Sequence, residues 1–519
     1  MSPSPASAVG QARQARRQGN LALAERLYRQ ALTASPGQAA PRTELAQLLL
    51  SAGHYEPAMV QVQELLNRNP ADGEAWRLAG LAFLGNQQLE QAEQALSQAR
   101  SLSPENPAVR LARAQLAQES GDSQHCLRLT RGLENETAVL LRARAFRDSD
   151  MPGEAQATLR AYLTHDPTAS SVHALLARLS YLDQEPDWSA DLAQAIAAHP
   201  DHVPLRLTYA GALKGAGELA QARTELLVGI ERQPAYELYL MLADCHLEGG
   251  DNPAALQAAE RARALAPQHC EFSRQRIDAL LAVGSFDEAR GLLESLLHAA
   301  PGDQRHLARY ATLLRAVNDP RAKLLFDPER LVHVVDRVGA ADLAPLTTAL
   351  AAEHQRSGPP LDQSLRGGSQ TARSLLQLRG DVIQTLIGDL KDAVRAWAQH
   401  LPREPGHPFD QRLKTGDPHL RGCWSVCLNS GGHHVDHIHS QGVVSAVYYV
   451  SVPQGCRDRG HAGWLRFGRP RFPMPGVEAA LHVEPRPGRL VLFPSYFWHG
   501  TEPFADESPR LTVAFDATF

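Results

Sequence analysis

His437 and His439 stand two residues apart in the run Gly431-Gly432-His433-His434-Val435-Asp436-His437-Ile438-His439, just ahead of the apolar stretch Val443 to Val450. In an extended chain side chains alternate between faces, so residues two apart point the same way and can grip one metal ion together. A third imidazole, His499, follows the apolar run Leu490-Val491-Leu492-Phe493-Pro494, and Arg510 comes eleven residues later at the head of Leu511 to Phe515. Two close donors, one distant donor and a trailing arginine make a candidate metal site.

The elements that must position these residues read as β. Short apolar runs separated by Gly/Pro turns occur at Cys423–Leu428, Val443–Val452, Gly463–Phe467, Leu481–Val483, Leu490–Phe493 and Leu511–Phe515. Strands at this spacing indicate a sandwich or barrel. Ahead of them a helical stretch is expected through Leu331-Val332-His333-Val334-Val335, another over about Leu343 to His354, and a third over about Thr371 to His400. The third carries Leu375, Leu376, Leu378, Val382, Ile383, Leu386, Ile387, Leu390, Val394 and Trp397 on its expected buried side. With helices packed outside, a double-stranded β-helix of the jelly-roll type is the natural candidate. Asn429, next to Ser430-Gly431-Gly432, reads as turn chemistry, and Trp424, Trp464 and Trp498 read as core.

The first three-fifths of the chain have a different texture. Prolines recur at Pro36, Pro70, Pro104, Pro167, Pro200, Pro234, Pro267 and Pro301, at spacings of 33 or 34 with one nearly double gap. Twelve residues before each stands Ala24, Ala58, Ala92, Ala155, Trp188, Ala222, Ala255 or Ala289, and Cys126 fills the matching place inside the gap. Five residues before most of these is Gly19, Gly53, Gly121, Gly217, Gly250 or Gly284. Glycine allows a tight turn between two helices, alanine lets their backbones approach, and proline stops the second helix. Nine helical hairpins are expected. The pattern resembles tetratricopeptide repeats over about residues 8 to 315. It loosens near residues 130 to 190, where a bend or a local feature is expected. Such arrays present an extended surface, which implies a peptide or protein partner.

At 519 residues the chain is too long for one core. The expected organisation is multidomain, an all-α tetratricopeptide-repeat solenoid over residues 1–318 followed by an α+β jelly-roll domain over residues 319–519. A net charge of −5 with no Lys/Arg block gives no electrostatic footprint for nucleic acid. No apolar stretch approaches the roughly 20 residues that span a bilayer, and the first residues lack a signal-peptide core. A cytoplasmic protein with neither nucleic-acid nor membrane partner is the expectation. Six scattered cysteines show no CxxC pair and read as buried free thiols.

Taken in order, Gln363 to Thr371 with its Gly367-Gly368 pair, the His434 to His439 cluster before Ser445 to Val450, Leu492-Phe493-Pro494-Ser495 leading to His499, and Arg510 resemble the iron(II)/2-oxoglutarate-dependent oxygenases. The resemblance covers about residues 325 to 519. It implies Fe(II) as cofactor, 2-oxoglutarate as cosubstrate, and hydroxylation of a C–H bond with release of succinate and CO2. It implies His437, His439 and His499 as metal ligands. A second ligand reading stays open: His434-Val435-Asp436 offers an HxD pair, and a carboxylate would reduce the charge on the metal centre. A regular strand would turn the two pairs to opposite faces, so both cannot serve one ion without a bulge.

Arg510 is then expected to meet the distal carboxylate of 2-oxoglutarate, because a guanidinium pairs both oxygens in a fixed fork. Thr512 faces the same way and adds a hydroxyl. Tyr448 and Tyr449 are neighbours, so only one faces the barrel interior; Tyr449 is the one assigned to the cosubstrate. Arg366 and Gln370 lie in a Gly-rich loop with no assigned role. Two other functions compete with the hydroxylase: an adaptor with a catalytically silent barrel, and a three-histidine cupin-like dioxygenase that uses no 2-oxoglutarate.

Overall fold

The structure, a computed structural model, describes residues 5–336, 343–355, 360–361, 363–371, 373–378, 380–401, 406–409, 417–457 and 460–519. Contacts divide the chain into two compact units, Met1–Tyr162 and Leu163–Phe519.

The first unit stacks helical hairpins, beginning with Pro5–Arg17 on Leu21–Ala34, Ala39–Ser51 on Tyr55–Arg68 and Gly73–Gly85 on Leu89–Leu102. Two more, Pro107–Glu119 with Ser123–Thr130 and Glu136–Asp148 with Pro152–Leu163, bring it to the boundary. Ala24, Ala58, Ala92, Cys126 and Ala155 are all fully buried, where a larger side chain would push the helices apart. Gly53 turns between helices with φ 75°, and Gln87 takes the same left-handed turn at φ 59° one repeat later. The residue six places after a repeat proline ties back to its carbonyl: Arg42 donates to Pro36 at 3.1 Å, and Trp76 Nε1 to Pro70 at 2.8 Å.

The second unit begins with four more hairpins, Ser170–Leu182 with Ala190–Ala198, Val203–Gly215 with Leu219–Arg232, Tyr236–Glu248 with Asn252–Leu265, and Arg274–Ala282 with Phe286–Ala299. Helix Gln304–Ala316 closes the series. With the five above, the described residues form nine hairpins. Near the loosened register the helix Ala190–Ala198 is short, and Trp188 packs edge-on against Tyr181 at 5.2 Å.

Among the described residues nine strands follow: β1 His333–Val335, β2 Leu365–Gln370, β3 His419–His434, β4 Val444–Ser451, β5 Leu465–Phe467, β6 Leu481–Val483, β7 Leu490–Pro494, β8 His499–Thr501 and β9 Arg510–Thr518. They form a six-stranded sheet in the order β1-β7-β4-β9-β3-β2 and a three-stranded sheet β6-β5-β8, with every pairing antiparallel. Helix Asp381–His400 buries Ile383, Leu386, Ile387, Leu390, Val394 and Trp397. One apolar cluster runs from Leu247 and the last hairpins through this helix to Ala517, so these hairpins and the barrel share a core.

The structure corrects the expected elements at several places. The stretch 331–335 is not one helix. A short turn Pro328–Leu331 gives way to β1, which pairs with the otherwise open edge of β7. The long helix starts at Asp381 rather than near Thr371; Leu375–Gln377 form a 3-10 turn, and Val382 is 42% exposed. Gly380 stands just before the helix, where its lack of side chain weakens any extension. The Gly-rich stretch with Arg366 and Gln370 is not a loop but strand β2, with a register shift at Gly367. A Cβ on Gly368 would lie 2.3 Å from the Cys427 carbonyl oxygen, so only glycine permits β2 to lie this close on β3. Asn429 lies inside β3 rather than at a turn between strands. No described helix is long and apolar enough to cross a membrane. All six cysteines are free.

Candidate active site

The alternation of β9 turns Arg510, Thr512, Ala514 and Asp516 to one face. Cross-strand register carries that face over to Trp424 and Val426 of β3 and to Ser445, Val447 and Tyr449 of β4. A cavity of about 510 Å³ lies against this face, closed on the other side by Leu465 of β5 and by His499, Gly500 and Thr501 of β8. Val447, Phe493 and Ala514 make its wall apolar, and Trp424, expected as core, is a half-buried wall residue 5.8 Å from the His439 ring.

Into this cavity the chain brings His437, His439 and His499. One ring nitrogen of each lies within 4.8 Å of the others. The ring centroids are 4.2 Å apart for His437 and His499, and 5.1 Å for each remaining pair. Backbone bonds of 2.9 and 3.0 Å between His437 and His499 pin the loop to β8. His499 therefore arrives from the opposite sheet, on a three-residue strand.

The hydrogen bonds fix the tautomers. Nδ1 of His437 donates to the Val435 carbonyl at 2.9 Å, Nδ1 of His499 to the Phe497 carbonyl at 2.9 Å, and Nδ1 of His439 to Asp516 Oδ1 at 2.5 Å. Each Nε2 is left with its lone pair facing the centre. Nε2 of His437 and Nε2 of His439 stand 3.1 Å apart, a contact that needs a shared proton or a cation between two acceptors. Burial pushes His437 down to about 3 and His499 well below the ordinary imidazole range, so both are neutral and able to ligate. Burial lowers His439 too, but the Asp516 carboxylate outweighs it and the net shift is upward.

His434 and Asp436 do not act as a pair. The chain bends between them, so His434 lines the cavity, its ring 5.7 Å from that of His437 and its Nδ1 3.0 Å from Ser364 Oγ. Asp436 turns the other way and is buried against Arg466 at 2.9 and 3.1 Å and Arg469 at 2.8 Å. The carboxylate that reaches the histidines is Asp516, which the sequence reading missed. Its signal was the alternation of β9: Asp516 is six residues beyond Arg510 and shares its face.

Arg510 is 2% exposed, and no carboxylate pairs with it among the described residues. Its Nε and the Tyr449 hydroxyl are both buried without a hydrogen-bond partner there, and the guanidinium lies 4.9 Å from the Tyr449 ring centre. Tyr448 points to the opposite face of β4, opposite Val513. Thr512 lines the same cavity. A buried guanidinium without an anion costs several kcal/mol. An acid with carboxylate oxygens would satisfy Arg510, Tyr449 and Thr512 together, and three convergent imidazoles suit a ferrous ion. The residues present thus fit both groups.

Residues 422–516 match the family described as "Putative 2OG-Fe(II) oxygenase", and residues 15–81 and 207–269 match tetratricopeptide repeats. Among solved structures, yeast Tom70 aligns at 13% identity and a TM-score of 0.35, covering 62% of this chain and 90% of its own. A tetratricopeptide repeat protein from Parabacteroides merdae aligns at 13% identity and 0.29, covering 53% and 98%. A Pseudomonas putida prolyl-4-hydroxylase aligns at 18% identity and 0.28, covering 37% and 95%. No curated protein matches the chain. Tetratricopeptide-repeat models thus match two stretches ahead of residue 270, and the model described as "Putative 2OG-Fe(II) oxygenase" matches the stretch that carries the three histidines and Arg510.

Proposed function

We propose that residues from about 319 to 519 form an iron(II)/2-oxoglutarate-dependent hydroxylase whose substrate is a polypeptide recruited by the repeats of residues 1–318. His437, His439 and His499 would hold the metal, and Arg510, Thr512 and Tyr449 would hold 2-oxoglutarate. The observation that carries this reading is Arg510, a buried guanidinium with no described anionic partner in the same cavity as three imidazole lone pairs. When bound, iron with 2-oxoglutarate and O2 supplies the oxidising power to hydroxylate an unactivated C–H bond, with succinate and CO2 as coproducts.

The chain's own residues do the positioning. Asp516 orients His439 and lends negative charge to a ligand set that has no carboxylate of its own. Ser445 donates to the same oxygen at 2.6 Å and holds that carboxylate in place. Trp424, Val447, Leu465 and Phe493 keep bulk water from the centre. A dioxygenase that used no 2-oxoglutarate would leave Arg510 without its anion, and a silent barrel would leave all three lone pairs unused. Six free thiols suit a cytoplasmic protein.

Succinate release from 2-oxoglutarate in the presence of Fe(II) and O2 tests the proposal. The native chain is expected to turn over slowly even without substrate, and His499→Ala to lose that turnover. Equal rates in the two proteins would favour the adaptor reading.

A further inference from the structure

The mouth of the cavity is built by hairpins and barrel together, within the second unit. Lys214 lies in the last turn of helix Val203–Gly215, Arg366 comes from β2, Arg471 follows β5, and all three line the cavity. They converge on one carboxylate, Glu248, at the end of helix Tyr236–Glu248. Arg471 Nη2 lies 2.5 Å from Glu248 Oε2, Lys214 Nζ 3.7 Å from the same oxygen, and Arg366 Nη2 3.7 Å from Oε1. Arg366 Nη1 is held in addition by the carbonyls of Gln363 at 2.6 Å and Leu365 at 2.9 Å. Among the described residues that line the cavity itself there is no aspartate or glutamate.

An adjoining cavity of about 220 Å³ shares Lys214, His437 and Arg471 with the first. Its other cations are matched: Arg274 pairs with Asp244 at 2.5 Å, Arg309 with Asp278 at 2.6 and 2.8 Å, and Arg305 with Asp303 at 2.5 Å. Among the described residues the positive excess is therefore local to the mouth, half-buried Lys214 and Arg366 and exposed Arg471 against one acid. Glu248 is itself poorly placed, because a carboxylate at a helix C-terminus meets the negative end of the dipole. An incoming carboxylate can take its place at lower electrostatic cost.

Resting on the hydroxylase reading above, we propose that this mouth selects a polypeptide with an acidic side chain beside the residue to be oxidised, held by Lys214, Arg366 and Arg471, with Glu248 as the internal carboxylate it displaces. The repeats then contribute Lys214 and Glu248 to substrate choice directly, besides any contact elsewhere along the array.

The test uses two fluorescein-labelled heptapeptide mixtures of the form Ala-Xaa-Asp-Xaa-Asp-Xaa-Ala and Ala-Xaa-Asn-Xaa-Asn-Xaa-Ala. They are titrated by fluorescence anisotropy against the full chain with Fe(II) and 2-oxoglutarate under nitrogen. The Asp mixture is expected to bind about tenfold more tightly. That preference should vanish near 1 M salt, where the Debye length is about 3 Å. It should also fall by most of its value in a Lys214→Ala/Arg471→Ala protein, persist in part in Arg471→Lys, and grow in Glu248→Gln. Equal binding of the two mixtures by the native chain would overturn the proposal, as would a preference untouched by salt or by the double substitution. The salt series needs no variant, so misfolding of the double variant leaves the test intact. Succinate release by the native chain is measured separately, so equal binding of the two mixtures with intact turnover refutes the mouth alone, and absence of turnover refutes the hydroxylase.

Discussion

Asp516 accepts from His439 at 2.5 Å and from Ser445 at 2.6 Å, so its carboxylate is fixed before any metal arrives. Removing its charge while keeping its shape should loosen the ligand without unfolding the barrel. Asp516→Asn is expected to weaken Fe(II) affinity about 10–100-fold, measured by competition with a chelating dye. A second residue gives a pH dependence. His354 is held between the hydroxyls of Ser369 at 2.8 Å and Ser425 at 2.9 Å, and burial pushes it from 6.5 down to about 4. It stays neutral in the folded chain while the unfolded chain takes up a proton. The stability it contributes is therefore full above pH 6.5 and is lost as pH falls toward 4, at up to about 1.4 kcal/mol per unit. Half-buried His434 and His437 and buried His499 act in the same direction, so the check is the difference between native and His354→Gln unfolding curves across that range: the variant should show the shallower pH slope. At this scale, spacing alone was enough to bring His437 and His439 to one side. What spacing could not reveal was the bend that separates His434 from Asp436 and sends the latter to Arg466.

Turns and short strands set the limits at the next scale. Gly53 and Gln87 occupy equivalent turns at φ 75° and 59°, and an L side chain in that region costs about 1–2 kcal/mol. Gly53→Gln should lower stability by about that much and Gln87→Gly should raise it by up to the same amount, read from denaturant midpoints at constant m. Gly368→Ala should cost about 1–3 kcal/mol, because the added methyl meets backbone rather than a side chain that could swing away. The hairpins were legible because each repeats the same glycine, alanine and proline. Asp150, Gln184 and Asn318 show why the glycine sometimes vanished, since they take the left-handed turn with other side chains. β1 was missed because its apolar residues were read into a helix, β8 because His499-Gly500-Thr501 is no apolar run, and β2 because its glycines mimic a loop.

For the molecule as a whole, the 34-residue rhythm stops near residue 318, yet the apolar cluster does not. Leu280, Leu281, Leu293 and Leu314 of the last hairpins belong to the same cluster as Leu390, Phe467 and Phe515. Arg315 donates to the Gly468 carbonyl and to that of Glu478, and Asn252 donates to Pro473 at 3.0 Å. A chain beginning at residue 163 is therefore expected to unfold in one cooperative calorimetric transition, whereas one beginning at residue 319 should lack it. The account as a whole turns on Arg510 and the three imidazoles acting on one pair of ligands. Anaerobic titration of the full chain with Fe(II) and then 2-oxoglutarate reads this most directly, through the weak visible charge-transfer band that a ketoacid chelated to ferrous iron produces. The band should grow to saturation in the native chain and require far more 2-oxoglutarate in Arg510→Ala. No band at saturating ligand, or an identical titration in the variant, would contradict it.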